Sequence, residues 1–313
     1  MPQKKEPLWH RLGRRYGGDV PLPMQKGKFG FIFLLCLPAV FGLLVWYFGV
    51  NFQSIAMAFQ DPVTEEFSLV NFQRLFVELS DKNSAIYIGL INTFKYFILG
   101  AIIIPTITYV IAFYLYRRIK FSNFFLIMLH IPNIVSGVVI AAMFKNLLSP
   151  LGPLSTVMNE MGLGLMPSLF ADKETATKTL LAIVFILGMD TNILLWIGTF
   201  KRVPNEVMES AMLDGATEGQ IFLRIVTPMV ATTISTLLIL GCTTIFMASG
   251  PILLYTNGNA DTTTLNFWIF QQTYTNQEPN YPAAVGIFFT FIGVPLVLFL
   301  NWLSGKITKA VEY

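Results

Sequence analysis

Charge is what this chain lacks most: only 12% of its 313 residues are Asp, Glu, Lys or Arg, about half of what a water-soluble domain carries. Cysteine and histidine are as scarce, with two of each. Cys36 and Cys242 both fall in apolar runs and read as small fillers rather than a disulfide, and no Cys/His cluster has the spacing of metal ligands. No metal site is expected. A Gly-x-x-x-x-Gly-Lys-Ser/Thr phosphate cradle is also missing, so a nucleotide that drives this protein must be bound by another chain. Nor is there an internal repeat or a low-complexity tract.

What remains is apolar. Hydrophobic residues make up 54% of the chain and aromatics 14%, with a mean hydropathy of +0.61. A helix needs about 20 mainly apolar residues to cross a hydrocarbon core of about 30 Å. Six runs qualify, near 29–50, 92–116, 122–145, 179–200, 231–254 and 283–303. The expected fold class is an all-α polytopic membrane protein with six transmembrane helices. Because the runs are continuous rather than alternating, they exclude a β-barrel.

Basic residues divide unevenly between the two sides. Fifteen fall in 1–28, 117–120, 201–224 and 306–309, against six on the other side: Arg74, Lys82, Lys95, Lys145, Lys173 and Lys178. This asymmetry predicts cytoplasmic termini. The segments are then a basic cytoplasmic leader over 1–28, a transmembrane domain over 29–303 and a cytoplasmic tail over 304–313. The leader is long and polar and the apolar run behind it is of spanning length, so it reads as the flank of a retained first helix. It suits anionic headgroups, and no nucleic-acid partner is expected. Outside lie 51–91, 146–178 and 255–282; the last, without Lys or Arg, reads as a solvated loop or a surface for an external partner.

Between the fourth and fifth runs lies a polar island, Glu209-Ser210-Ala211-Met212-Leu213-Asp214-Gly215-Ala216, followed by Phe222, Ile225 and Pro228. Pro204-Asn205 predicts a helix start with Asn205 as cap, and Glu206 and Glu209 suit the positive end of its dipole. Asp214-Gly215 supplies a turn. A second short helix containing Gln220 and Phe222 completes a helix-turn-helix along the membrane face, in the loop 201–230.

At these residues the chain resembles the membrane subunits of binding-protein-dependent ABC importers, whose cytoplasmic loop reads Glu-Ala-Ala, three residues, Gly, then a spaced Ile-x-Leu-Pro. Glu209, Ala211, Asp214, Gly215, Ala216, Phe222, Ile225 and Pro228 match, while Ser210 replaces an Ala and Thr227 a Leu. Within that family the chain is similar to the sugar-permease (MalF-like) branch, in Phe33 to Phe59, Asn71-Phe72 and Asn92-Thr93. It departs from the branch at Gly258-Asn259-Ala260, where the pattern is Gly-Gly-Pro.

The resemblance implies a type I ABC importer permease fold whose coupling helix fits a cleft in a separate ATPase. Glu209 would contact that ATPase, Gly215 would set the loop angle, and the Ala positions would permit close packing. It implies a non-catalytic transport subunit for a sugar, oligosaccharide or polyol, in a bacterial or archaeal cytoplasmic membrane. Implied partners are a second permease chain forming a heterodimer, two copies of the ATPase holding ATP and Mg, and an extracytoplasmic solute-binding protein. This chain itself would carry no cofactor.

Polar and small residues inside spans mark the pathway. Leu187, Gly188, Asp190 and Thr191 precede the loop. Gly241, Thr244, Ile245 and Ala248 follow it at the spacing of one helical face. The branch lines its substrate site with these two helices; Gly188 has a counterpart there, and the others are placed by spacing. Small residues so spaced also serve helix packing. The alternative function is an ion- or proton-coupled secondary carrier using Asp190, against which the loop and the missing repeat argue. Trp196, Trp268, Trp302, Tyr47 and Tyr255 read as interfacial anchors, and Pro38, Pro105, Pro132 and Pro295 as kinks.

Overall fold

The computed structural model of the chain describes residues 28–117, 119–189, 192–247 and 250–309. Most of the basic leader and the last four residues lie outside them. Among the described residues the regular elements are all helices, with one isolated β-bridge between Gln60 and Phe67. Two units are distinguished, Met1–Ala56 and Met57–Tyr313. The first is represented by α1, which runs over Gly30–Ala58.

The second unit holds the rest in order: α2 Val70–Ser80, α3 Ala85–Tyr116, α4 Ser122–Ile134, α5 Gly137–Leu147, α6 Pro153–Glu160, α7 Ala176–Gly188, α8 Ile193–Phe200 and α9 Asn205–Leu213. Then come α10 Glu218–Met229, α11 Ala231–Thr243, α12 Ile252–Tyr255, α13 Leu265–Phe270 and α14 Asn280–Lys309. Among the described residues, four helical stretches are long and apolar enough to cross a membrane, namely α1, α3, Ala176–Phe200 and Asn280–Leu303. The pairs α4/α5 and α10/α11 raise this to six if each pair counts as one span.

The predicted span 122–145 is divided into α4 and α5 at the proline read as a kink, and α10, part of the expected cytoplasmic loop, meets α11 at a second bend. α4 and α5 meet at 98° and α10 and α11 at 71°. Pro132 sits in the last turn of α4, and Val135 beyond it is extended (φ −85°, ψ 139°); a proline withholds one backbone donor and crowds the preceding turn. At the second bend Val230 leaves the helical region (φ −103°, ψ 9°) two residues after Pro228. Proline alone does not break a helix here. α3 passes through Pro105, and its π-helical turn Ile98–Ile103 immediately before that position accommodates the lost hydrogen bond. α11 ends at Thr243 rather than near 254, where the hydroxyls of Thr243 and Thr244 cap the carbonyls of Leu240 and Gly241 at 2.7 and 2.9 Å.

α3 is the central element of this unit. Near its end Ala112 and Phe113 pack with Trp196 and Phe200 of α8 and with Ile221 and Val226 of α10. Near its start Tyr96 packs with Leu180 and Ile183 of α7 and Phe267 of α13, and Ile86 with Leu75, Val285 and Phe289. In lipid such contacts stabilise by close packing more than by exclusion of water. Trp196, Trp268 and Tyr255 belong to these clusters, each at most 5% exposed, so they are core residues and not interfacial anchors. Trp302 and Tyr47 are exposed.

The segment 255–282 is no solvated loop. Thr262, Thr263 and Thr264 are buried. The Asn92 amide donates to the carbonyls of Asp261 and Thr263 at 2.7 and 2.9 Å, and the Thr93 hydroxyl accepts from the Leu265 amide at 2.9 Å. Gly89 lets that backbone approach, since a Cβ there would lie 3.2 Å from Leu265 N. Asn71 ties down the chain after α1 in the same way, donating to Ala58 O and Gln60 O. The polar residues at Asn71 and at Asn92-Thr93 thus satisfy buried carbonyls and an amide that would each cost about 1–3 kcal/mol unpaired.

Candidate functional site

The chain turns at the end of α8 and enters α9 through Pro204, which is extended (φ −61°, ψ 132°) and occupies the N-cap. Asn205, expected as the cap, is instead the first helical residue, and its Oδ1 accepts the Tyr116 hydroxyl at 3.3 Å. No side chain caps this end; the Val207 amide donates back to the Pro204 carbonyl at 3.3 Å.

α9 stops because Gly215 turns left-handed at φ +82°. Its amide donates to Met212 O at 3.0 Å and the next amide, of Ala216, to Ala211 O at 2.9 Å, the paired bonds of a Schellman C-cap. One residue later Thr217 and Gln220 form a reciprocal capping box, Thr217 N–H to Gln220 Oε1 at 2.8 Å and Gln220 N–H to Thr217 Oγ1 at 3.4 Å. The helix-turn-helix therefore has a stop and a start locked within a few residues.

Its two faces differ. Met208, Ile221 and Val226 are at most 1% exposed in the cluster with Phe113 and Phe200, and Ala211, Ala216, Phe222 and Ile225 are half-buried against it. The Phe222 ring lies 4.6 Å from that of Phe113 and 5.0 Å from that of Tyr109. Ala211 and Ala216 thus approach the chain's own core. The outward positions are Glu209, Asp214 and Gly215, with open space where a Gly215 Cβ would stand. Beside them Leu213 is 90% and Leu223 64% exposed.

Two polar contacts fasten this element to α3. Arg117, capping α3, holds Glu218 through both carboxylate oxygens, Nη2 to Oε1 at 2.7 Å and Nε to Oε2 at 3.2 Å. Thr227 donates to Phe222 O at 2.8 Å, so its oxygen accepts the Tyr109 hydroxyl, also at 2.8 Å. Pro228 follows at the start of the turn that leads into the α10/α11 bend. At the same end of α3 lies a cavity of about 550 Å³, lined in part by Tyr116, Arg117, Asn123, Lys201 and Asn205.

The pathway candidates are only partly gathered. Gly188 ends α7 where an added Cβ would meet Ile104 Cδ1 at 2.8 Å, and a Cβ at Gly241 would meet Ala101 Cβ at 3.0 Å. Both glycines therefore bring their helices close to one turn of α3. Leu187 is half-buried against the cluster that holds Tyr96, Ile183 and Tyr255. Because α11 ends at Thr243, Thr244 and Ile245 do not continue its face: Thr244 is exposed and Ile245 is buried in a 3₁₀ turn. Asp190, Thr191 and Ala248 lie outside the described residues.

No family model matches the chain. The multiple sugar-binding transport system permease protein MsmF of Streptococcus mutans is 26% identical over 279 residues, 86% of this chain and 93% of that protein. The arabinooligosaccharides transport system permease protein AraP of Bacillus subtilis is 27% identical over 282 residues, 88% of each. The chain is a homologue of sugar ABC transporter permeases. Its fold is that of an ABC importer permease: a bacterial ABC transporter that imports the acidic polysaccharide alginate aligns with a TM-score of 0.79 at 20% identity, over 90% of this chain and 97% of that one. A second alginate transporter structure, in complex with an alginate pentasaccharide-bound periplasmic protein, aligns with a TM-score of 0.78 at 19% identity over 96% and 98%.

With that relationship in place, the residues that sequence reasoning missed stand out. Thr217-x-x-Gln220 is a capping box legible from its spacing. Leu213 could have been singled out as an apolar residue directly before an Asp-Gly turn. Nothing in the sequence links Arg117 to Glu218, 101 positions apart.

Proposed function

We propose that this chain is the membrane-spanning permease subunit of an ATP-driven, binding-protein-dependent importer for a sugar or oligosaccharide, coupled to a separate ATPase through Glu209–Pro228. The observation that carries this reading is the loop's two-faced construction. Met208, Ile221, Phe222 and Val226 are built into the core beside α3 and α8, while Glu209, Leu213, Asp214 and Gly215 are left outward. A push on the outer face is delivered to the ends of two spans.

The coupling follows from linkage. The ATPase pair binds ATP and Mg, and the loop need only contact its open and closed states unequally, because equal contact shifts no equilibrium. Converting a 1:99 population into 99:1 takes about 5.5 kcal/mol of differential binding, within reach of two such loops on paired permeases. A second permease chain completes the pathway, an external binding protein delivers the solute, and both termini face the cytoplasm. The relatives' sugar and arabinooligosaccharide names support a carbohydrate cargo.

Affinity purification of the tagged chain from gently solubilised membranes tests the assembly. The expected co-purifying proteins are an ATPase carrying a phosphate-binding loop and a second polytopic chain. Recovery of the chain alone, with uptake independent of ATP, would replace this reading with a secondary carrier.

A further inference from the structure

At the end of α3 opposite the loop, a pocket of about 310 Å³ gathers Lys82, Lys95, Lys173 and Lys178 with Glu174 and Asp261. Its lining carries four lysines and two acidic residues, an excess of two positive charges. Lys173 pairs with Asp261 at 3.0 Å and Lys95 donates to Asn92 Oδ1 at 3.1 Å. These are four of the six basic residues assigned to the side that carries few. Charge bias disfavours lysine there, so their convergence on one pocket calls for a ligand.

The pocket's depth in the bilayer follows from the sequence. Residues 96–116 contain no Asp, Glu, Lys or Arg, and Lys95 and Arg117 on either side of them are 22 positions apart, about 33 Å at the helical rise of about 1.5 Å per residue. That is the thickness of a hydrocarbon core, which puts Lys95 at one boundary and Arg117 at the other. From the pocket, which Ile91 lines, an apolar track leads past Lys95 toward the bilayer centre: Phe94, Ile98 and Ile102, on one side of α3, are each 42–47% exposed.

We infer that this pocket holds the phosphate headgroup of an anionic phospholipid, whose acyl chain lies along the Phe94–Ile102 track. An ammonium cluster at the boundary matches a lipid phosphate in charge and depth, and the track beneath it matches a hydrocarbon tail. A free phosphate or a sugar carboxylate would satisfy the lysines but leave the track unused. The inference rests on the chain's spanning the membrane and is independent of the coupling loop.

Native mass spectrometry of the delipidated full chain with its co-purifying partners, titrated with phosphatidylglycerol or phosphatidylcholine, tests it. The wild type should retain one phosphatidylglycerol in preference to phosphatidylcholine. Replacing Lys82, Lys95 and Lys178 together by Gln should weaken that binding by roughly fivefold per lysine, whereas Lys145→Gln, outside the pocket, should not. Equal retention of the two lipids, or equal behaviour of the triple and Lys145 variants, would overturn the proposal. Binding of inorganic phosphate or glucuronate with no lipid preference would make this a site for soluble anions and overturn it too. Phosphatidylglycerol should also raise the melting temperature of the wild type but not of the triple variant, whose own melting in phosphatidylcholine nanodiscs shows that it folds.

Discussion

Replacing Gly215 separates conformational strain from every other effect, because nothing lies within 4 Å of where its Cβ would stand and its φ is +82°. A substitution there meets no steric obstacle, only the cost of holding an L-residue left-handed. For alanine that cost is roughly 1–2 kcal/mol, a factor of about 5–30 in the ratio of correctly bent to rearranged loop. Asparagine visits the left-handed region more readily and should lose less. Proline cannot adopt this φ at all, and it removes the amide that donates to Met212 O at 3.0 Å. The expected order of ATP-driven uptake is therefore Gly, Asn, Ala, Pro, measured in proteoliposomes at matched amounts of inserted chain. The change should appear in uptake per hydrolysed ATP, since the bundle core is untouched. If Gly215→Ala equals or exceeds Gly215→Asn, the Schellman turn does not set the geometry of the loop; if Gly215→Pro transports normally, the loop is not the coupling element.

Three further substitutions probe separate contacts. Arg117→Glu should reduce uptake and Glu218→Arg on top of it should restore most of the loss; with the Glu218 side chain 52% exposed the pair is worth under about 1 kcal/mol, and a double-mutant cycle showing no interaction would discount it. Asn92→Leu strips the donor from the carbonyls of Asp261 and Thr263, so the melting temperature should fall and protease should cut within 257–264; unchanged resistance would contradict the clamp. Gly188→Ala should impair the protein and Ile104→Val should relieve it, because the atom 2.8 Å from the new Cβ is the Ile104 Cδ1 that valine lacks. Failure of that rescue, with folding intact, would favour direct solute contact at Gly188 over helix packing.

Long apolar runs revealed the membrane class and the places of the helices, because lipid demands continuous apolar length whatever the tertiary packing. The same continuity concealed the size of the bends: Pro132 marks a kink in the run 122–145, but Pro105 reads alike and sits in an unbroken helix, whereas Val135 beyond Pro132 is extended. The tryptophans illustrate a related limit of local sequence: Trp196 lies near a span end and Trp268 in the segment between two spans, where an anchor and a core residue have the same neighbourhood, and only the facing helices decide. The loop's turn was legible because Asp-Gly and a capping pattern are local chemistry. Which of its residues face inward was not, since that depends on Phe113 and Phe200, far away in the chain.

The central claim is that the outer face of the Glu209–Pro228 loop docks on an ATPase while its inner face stays in the bundle. A photoreactive amino acid placed at Leu213, 90% exposed, or at Met208, 1% exposed, in the intact assembly tests this directly. Leu213 should crosslink to the ATPase, with a yield that changes when ATP is added, and Met208 should crosslink only within the chain. Capture of the ATPase from Met208, or from neither position while uptake persists, would contradict it.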